Sequence, residues 1–186
     1  FTPQICVLSG CYLAAFIFSD GWVSRQNYNC MRLYSTKHEA EAVELPEAVF
    51  RGLPPDNGLY MPEEIPQLPA SFFDTIETKT LPEIAFTVSK ALIGNHIPDD
   101  ELKTLVDDAF DFEVPVVSVT ENIYSLELFH GPTLAFKDFG ARFMARLMSH
   151  FLKEDNKKIN ILVATSGDTG SAVAQGFLGI PNITVT

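Results

Sequence analysis

The chain has 186 residues, of which 46% are hydrophobic and 20% charged, and its formal net charge is −11. A chain of this length can bury a substantial core, and the composition excludes disordered and collagen-like classes. The negative charge argues against nucleic acid or an anionic membrane as a partner, because both repel an acidic protein. Residues 31–127 carry 19 acidic and 6 basic side chains, whereas residues 128–186 carry 4 and 6.

The first 30 residues differ from the rest of the chain. All three cysteines lie there. The apolar run at residues 5–18 is too short to span a bilayer, which needs about 20 residues. It resembles the core of a secretory signal, but no Lys or Arg precedes it and no clean cleavage site follows. We expect residues 1–30 to be an upstream or non-native extension, with a targeting segment as the alternative.

From Met31 onward the chain contains no cysteine. This excludes a disulfide scaffold, a cysteine-based zinc site and a cysteine nucleophile in the main body of the chain. It also favours a reducing compartment, so we expect a cytoplasmic protein.

Residues 31–70 are rich in turn-forming residues. The pattern at residues 39–50 predicts a short helix, whose regularity Pro46 limits. The pair Asn57-Gly58 predicts a tight turn within a loop.

Two longer helices are predicted further along the chain. The first runs from Pro82 to Ile93, because proline suits the first turn of a helix, and Gly94 favours its end there. The second opens at Pro98 with carboxylates in its first turn, where they stabilise the helix dipole. Its apolar residues recur at helical spacing: Leu102, Leu105, Val106 and Ala109. We expect the acidic residues nearby to be solvated surface and not a metal site, because no histidine accompanies them.

Strands and helices alternate in the last part of the chain. Strands are expected at 116–119, 123–128, 159–165 and 182–186, and helices at 138–152 and 171–178. Asp138 is placed to cap the first of these helices. The apolar run at 159–165 is typical of a parallel strand covered on both faces. This order predicts an α/β fold, with a parallel sheet flanked by helices and left unfinished where the chain stops.

Lys137 stands immediately before the predicted helix 138–152, between Phe136 and Phe139. A helix N-terminus disfavours a cation and apolar neighbours disfavour any charge, although the neighbouring Asp138 opposes both effects. They favour a neutral amine, which can attack an aldehyde and form a Schiff base. The alternative is an ordinary surface lysine, the commoner case in proteins.

The sequence from Thr165 to Ser171 joins a predicted buried strand to a predicted helix. Two glycines, several hydroxyls and the open N–H groups of a helix start can hold an anion or a carboxylate. Nucleotide motifs do not fit, because no lysine follows Gly170 as in a P-loop and the glycine spacing differs from the dinucleotide fingerprint. An ordinary strand-to-helix turn is the alternative.

Long motifs in the second half of the chain carry a family resemblance. HGPTLAFKDFGARFMA at 130–145 and ATSGDTGSAVA at 164–174 closely resemble the threonine synthase family, and MRLYSTKHE and GLPPDNGLYMPEEIP, at 31–39 and 52–66, are similar to that family's start. The resemblance covers residues 31–186 and implies a fold-type II pyridoxal-phosphate enzyme.

The same resemblance implies a division of the chain. Residues 31–112 correspond to a mainly helical N-terminal domain, and residues 113–186 to the start of the catalytic domain. The family's downstream part, which holds the cofactor's phosphate and faces its ring nitrogen, is absent from this sequence. We therefore expect little or no turnover from these 186 residues alone.

The resemblance also implies roles for single residues. Lys137 would bond to the aldehyde of pyridoxal 5'-phosphate and move protons on the substrate, and Phe136 and Asp138 would shape its pocket. Asp168 would also lie at the cofactor. The loop that holds the anionic end of the substrate would comprise Ser166, Gly167, Asp168 and Thr169.

The implied reaction converts O-phospho-L-homoserine and water to L-threonine and phosphate. Two alternatives stay open. One is a related phospholyase that yields a 2-oxo acid, ammonia and phosphate. The other is an inactive chain that binds a partner through an exposed sheet edge. The sequence indicates no metal and no oligomeric state.

Overall fold

A computed structural model describes residues 4–8, 13–16, 31–153 and 158–186, the first two segments by their backbone. The strands are β1 (Gln4–Leu8), β2 (Leu13–Phe16), β3 (Arg32–Ser35), β4 (Val43–Glu44), β5 (Tyr60–Pro62), β6 (Val116–Thr120), β7 (Ile123–Leu126), β8 (Ile159–Ala164) and β9 (Ile183–Val185). The helices are α1 (Leu45–Arg51), α2 (Ala70–Asp74), α3 (Leu81–Ile93), α4 (Asp99–Ala109), α5 (Asp138–Leu152) and α6 (Asp168–Phe177), with a 3-10 turn at Ile76–Thr78.

The first predicted helix begins later than expected. The prediction of a helix at 39–50 is wrong in its first half, because α1 starts at Leu45 with Pro46 in its first turn. Proline suits that position, since its missing N–H has no helical acceptor there. The predicted turn also lies earlier: the N–H of Asn57 donates to the carbonyl of Pro54 at 3.0 Å, and Asn57 adopts a φ of 59°.

Helices α3 and α4 confirm the sequence prediction. Thr80 and Glu83 form a capping box at the start of α3, which satisfies N–H groups that the helix itself leaves free. Gly94 ends α3 with a φ of 64°, a conformation that glycine adopts without steric cost. Three of the four residues predicted for the apolar face of α4 are fully buried, and Leu105 is 7% exposed.

Strand β8 lies at the centre of the parallel sheet. It pairs in parallel with β1 on one side and β9 on the other, and β2 pairs antiparallel with β1. Ile159 and Ile161 are each 2% exposed, whereas the alternate residues Asn160 and Leu162 are half-buried. The face of β8 that carries Ile159 and Ile161 is therefore the more deeply covered, although Val163 on it is half-buried. The opposite face is only partly covered, which differs from the expectation of two covered faces.

Strands β6 and β7 do not belong to the parallel sheet. They pair with each other as an antiparallel hairpin, and nearly all of their residues are exposed. Only Glu121 and Asn122 separate them, and so short a connection permits an antiparallel pair but not a parallel crossover. Elsewhere, β3 pairs with β4 and β5 in a small antiparallel sheet.

The hydrophobic core is built from both halves of the chain. Helices α1, α3 and α4 contribute to it from residues 31–112, and α5, α6 and β8 from residues 113–186. Its fully buried members include Ile97, Leu102, Val106, Ala145 and Met148. A shared core places α5, and with it Lys137, firmly against the N-terminal helices.

Much of the first 30 residues lies outside the described part of the chain. The two segments that are described add β1 and β2 beside β8. Whether residues 1–30 are an extension, and where one domain ends and the next begins, stay predictions. Among the described residues, no helix has the length and apolar character needed to cross a membrane.

Candidate active site

Lys137 lies at the start of α5, where it is the last residue before the first helical turn. Its side chain is exposed. Its ammonium nitrogen makes no hydrogen bond or ion pair with any residue of 31–153 or 158–186. An incoming aldehyde can therefore reach this amine without displacing a protein partner.

The two aromatic neighbours of Lys137 differ in their surroundings. Phe136 is 55% exposed, and Phe139 packs inward against Phe110 and Phe112, with ring centroids 6.1 and 5.0 Å apart. That Phe136 shapes a pocket stays a prediction.

Asp138 is fully buried and does not cap α5, so the expectation of a cap is wrong. Its carboxylate accepts hydrogen bonds from the backbone N–H of Thr133 at 2.8 Å and from the Thr133 hydroxyl at 2.5 Å. Asp138 is the first residue of the helix, and its acceptor oxygens face the preceding loop instead of the helical N–H groups. The carboxylate organises the segment that leads to Lys137.

Helix α6 begins at Asp168, three residues earlier than predicted. The Thr165 hydroxyl causes this early start, because it accepts hydrogen bonds from the N–H groups of Gly167 at 3.2 Å and Gly170 at 3.1 Å. Gly170 has no room for a Cβ, which would lie 2.0 Å from Thr165 Cγ2. Asp168 and Thr169 therefore stand in the first helical turn and not in the preceding loop.

The four residues of the predicted anion loop lie together at this junction. Ser166, Gly167 and Asp168 are exposed and Thr169 is half-buried. Within residues 31–153 and 158–186, the backbone N–H groups of Ser166, Asp168 and Thr169 have no acceptor. Free N–H groups at a helix start, together with the positive end of the helix dipole, favour an anion.

The two parts of the candidate site lie on neighbouring helices. A Cβ at Gly176 of α6 would be 3.0 Å from the carbonyl carbon and oxygen of Ala141 in α5, so the two backbones are in direct contact. Arg146 also donates to the carbonyl of Gly176 at 2.7 Å. Lys137 shares no hydrogen bond or ion pair with residues 166–169 in the described structure.

Sequence reasoning missed Arg142, which anchors the helix that follows Lys137. Its side chain is 7% exposed and donates to the carbonyls of Ala109 at 2.8 Å and Asp108 at 2.6 Å, and to the carboxylate of Asp111 at 2.6 Å. These carbonyls end α4 and have no helical donor of their own. Arg142 lies four residues after Asp138, on the same face of the helix. This spacing of two charged residues was the feature of the sequence that could have indicated Arg142.

Known proteins resemble this chain in sequence. Residues 32–110 match the family model described as Threonine synthase N terminus. Over 155 residues the chain is 48% identical to threonine synthase of Haemophilus influenzae, a match that covers 83% of this chain and 36% of that protein. The chain therefore spans only 36% of the length of that curated relative, as expected for part of such a protein.

The fold of this chain is also similar to solved structures of threonine synthases. The PLP-bound threonine synthase from Brucella melitensis matches with a TM-score of 0.79 at 37% identity, over 83% of this chain and 34% of that one. Threonine synthase from Escherichia coli matches with a TM-score of 0.76 at 42% identity, over 83% and 36% of the two chains. These matches confirm the predicted α/β fold.

Proposed function

Because the chain belongs to the threonine synthase family, we propose that it supplies the cofactor-binding lysine and the anion-binding loop of a pyridoxal-phosphate-dependent lyase. The observation that carries this proposal is the exposed, unpaired amine of Lys137 at the start of α5. Helix α5 packs directly on α6, whose first turn presents free N–H groups. The activity is proposed for the longer protein that such relatives represent.

The residues present fit the cofactor. A primary amine without a protein partner is what an aldehyde requires, and Lys137 offers one. A Cβ built at Gly167 meets no atom within 4 Å, so the approach to α6 is open on that side. When bound, pyridoxal phosphate supplies an electron-withdrawing ring that stabilises negative charge on the carbon next to the substrate's amine.

Lys137 has two tasks in this proposal. Its Nζ would hold the cofactor through the aldehyde, and the same Nζ would accept and return protons on the substrate carbons. Its exposed position before the first turn of α5 suits both tasks, because the amine can be reached from outside the protein.

The start of α6 binds the anionic end of the substrate. The N–H groups of Asp168 and Thr169 lie at the positive end of the helix dipole and are free to donate. The Asp168 carboxylate would repel an anion, so we assign binding to the backbone here and to the Ser166 and Thr169 hydroxyls. The contact of Asp168 with the cofactor stays part of the proposal.

The reaction we propose converts O-phospho-L-homoserine and water to L-threonine and phosphate, in the cytoplasm. The family supports this choice, and so does charge: residues 128–186 carry 6 basic and 4 acidic side chains, unlike the acidic region before them. A phospholyase that releases a 2-oxo acid and ammonia is the second candidate, since it would use the same lysine.

Reductive trapping tests the lysine directly. The chain is incubated with pyridoxal phosphate and reduced with borohydride, which fixes the bond between the lysine nitrogen and the aldehyde carbon after water has left. Peptide mass mapping should then find the label at Lys137 in preference to Lys103, an exposed lysine of α4. The Lys137→Arg variant, which keeps the positive charge, should lose it. Equal labelling of both lysines would contradict the proposal.

Product analysis distinguishes the two reactions. Residues 31–186 are joined to the remaining part of the Haemophilus influenzae relative and supplied with O-phospho-L-homoserine. Threonine as the product supports the synthase, whereas a 2-oxo acid with ammonia supports the phospholyase. We expect the 186-residue chain by itself to form little or no threonine, and measurable threonine from it would contradict that expectation.

A further inference from the structure

The segment from Gly131 to Asp138 folds around one buried carboxylate. Asp138 is 0% exposed and accepts two hydrogen bonds from Thr133, five residues earlier in the chain. A buried carboxylate is costly unless hydrogen bonds satisfy it. The two bonds therefore hold Thr133 and the start of α5 at a fixed separation.

Glycine at position 131 permits this close packing. A Cβ there would lie 2.4 Å from Asp138 Oδ2 and 2.7 Å from Asp138 Cβ, closer than nonbonded carbon atoms approach. The N–H of Leu134 donates to the carbonyl of Gly131 at 3.0 Å, and Leu134 adopts a φ of 56°. The backbone thus turns sharply around the carboxylate and leads into α5.

The burial of Asp138 determines where its neighbour points. Successive residues of a helix are rotated by about 100°, so when Asp138 faces the interior, the stem of Lys137 is turned away from it. Lys137 is also fixed through its carbonyl, which accepts the N–H of Ala141 at 3.0 Å. The lysine backbone is therefore held on both sides while its amine stays exposed.

We infer that Asp138, through its two hydrogen bonds from Thr133, is a positioning residue that directs the Lys137 amine toward the cofactor aldehyde. The inference rests on the proposed function, in which Lys137 binds the cofactor. Asp138 itself touches neither cofactor nor substrate in this assignment. Its carboxylate fixes the backbone from which the amine extends.

Thr133 offers the sharpest test, because it can be changed while Asp138 stays in place. Thr133→Val removes the hydroxyl bond and keeps the side-chain shape and the backbone N–H, whereas Thr133→Ser keeps the hydroxyl. Thr104→Val is the matched control, since the Thr104 hydroxyl donates to the Asp100 carbonyl at 2.9 Å on the surface of α4. Asp138→Asn is a second variant, in which one acceptor oxygen becomes a donor.

The readout is the label fixed at Lys137 by borohydride, relative to the label at Lys103 in the same sample. We expect Thr133→Val and Asp138→Asn to lower this ratio about tenfold or more, since a shift of about 1 Å in a reacting group can cost a hundredfold in rate. Thr133→Ser and Thr104→Val should leave it unchanged. A normal ratio in folded Thr133→Val overturns the inference.

Amide hydrogen exchange supplies a readout that needs no cofactor. In Thr133→Val, an increase in exchange at residues 131–137 larger than the increase in the rest of the chain supports local positioning, whereas an increase of the same size throughout the chain overturns it in favour of a general structural role. Absence of label at Lys137 in the unaltered chain would instead contradict the proposed function. The exchange pattern then still decides whether the hydrogen bonds of Asp138 hold this segment.

Discussion

Two carboxylates in different regions of the molecule organise loops with the same kinds of group. Asp56 accepts hydrogen bonds from the Ser35 hydroxyl at 2.6 Å and from the N–H of Gly58 at 2.9 Å. Asp138 accepts from the hydroxyl and N–H of Thr133. We call these sets of bonds the Asp56 network and the Asp138 network. Each includes a hydroxyl donor and lies against a glycine at which a new Cβ would come within 2.4 Å of a side-chain oxygen of the network.

The two networks differ in what they connect. The Asp56 network joins segments far apart in the sequence, because the carboxylate also accepts the N–H groups of Glu39 at 3.2 Å and Ala40 at 3.1 Å. The Asp138 network joins residues only five positions apart and ends beside Lys137. The first network therefore stabilises tertiary structure, and the second fixes the direction of one side chain. A carboxylate with hydroxyl and N–H donors can therefore either join distant segments or fix a local turn. The separation of its donors in the sequence determines which of the two it does.

The largest expected effect is on stability, from the loss of the bonds that Arg142 makes between α5 and α4. Arg142 of α5 donates to the carbonyls that end α4 and is 7% exposed. Arg142→Ala should lower the free energy of unfolding by about 3 kcal/mol, since it leaves buried acceptors and a carboxylate without their cation. Urea unfolding measures this. Arg51→Ala, which removes a partly exposed ion pair with Glu47, should cost about 0.5 kcal/mol or less.

If the regions holding the two networks share one cooperative core, Arg142→Ala should shift a single unfolding transition. Two separate transitions, one of them unaffected, would show that the Asp56 network belongs to an independent unit.

The glycines of the two networks should respond differently to alanine. Gly131→Ala places a Cβ against both the Oδ2 and the Cβ of buried Asp138, and we expect a loss of about 2–3 kcal/mol. In Gly58→Ala the new Cβ meets the Ser35 hydroxyl at 2.2 Å. That hydroxyl can rotate away but then gives up its bond to Asp56, so about 1–2 kcal/mol is expected. Gly140→Ala has nothing within 4 Å and should stabilise α5 by about 0.5–1 kcal/mol.

Urea midpoints of the three glycine variants check this order. Equal losses for Gly131→Ala and Gly58→Ala would mean that the Asp138 carboxylate can move as freely as a hydroxyl, and the distinction between the networks would be wrong.

The hydroxyl donors separate stability from lysine reactivity. Ser35 is 0% exposed, so Ser35→Ala should lower the free energy of unfolding by about 1–2 kcal/mol, because the hydroxyl's bond to Asp56 is lost. We expect this variant to leave the labelling of Lys137 unchanged. Thr133→Val should cost about 1 kcal/mol and reduce the labelling. A reduced label in Ser35→Ala would show that the effect follows stability and not position.

The elements that the sequence predicts well have local causes. Helices α3 and α4 begin at or next to proline, and α3 ends at Gly94. The strand at Ile159–Ala164 follows from its apolar run. In each case the residues that determine the element lie within it or next to it, so periodicity and turn chemistry are sufficient.

The residues that the sequence could not place make contacts that depend on a tight turn or on residues far apart in the sequence. Asp138 at a helix start fits the capping pattern, and only the turn at Leu134 brings it to Thr133 instead. Asp56 and Ser35 are 21 positions apart, beyond any periodic signal. The motifs around Lys137 indicated the candidate lysine, but the free N–H groups of α6 depend on a start at Asp168 that the Thr165 hydroxyl determines.

The smallest expected effect is that of low pH on the Asp56 network. The hydrogen bond from the Ser35 hydroxyl, helped by the N–H groups of Gly58, Glu39 and Ala40, holds the pKa of Asp56 below its ordinary value of 3.8, although partial burial opposes this. A carboxyl whose pKa is lower in the folded state stabilises the protein above its unfolded pKa. That stabilisation is lost as the pH falls through the lower, folded pKa.

We therefore expect the difference in unfolding free energy between the unaltered chain and Asp56→Asn to be constant above about pH 5 and to shrink below about pH 4. Urea unfolding at roughly pH 6, 5, 4 and 3 measures this difference. Ser35→Ala should reduce the same pH dependence, because it removes the bond that lowers the pKa most. A difference that stays the same at every pH would show that these bonds do not favour the charged carboxylate, and the Asp56 network would then owe its effect to shape alone.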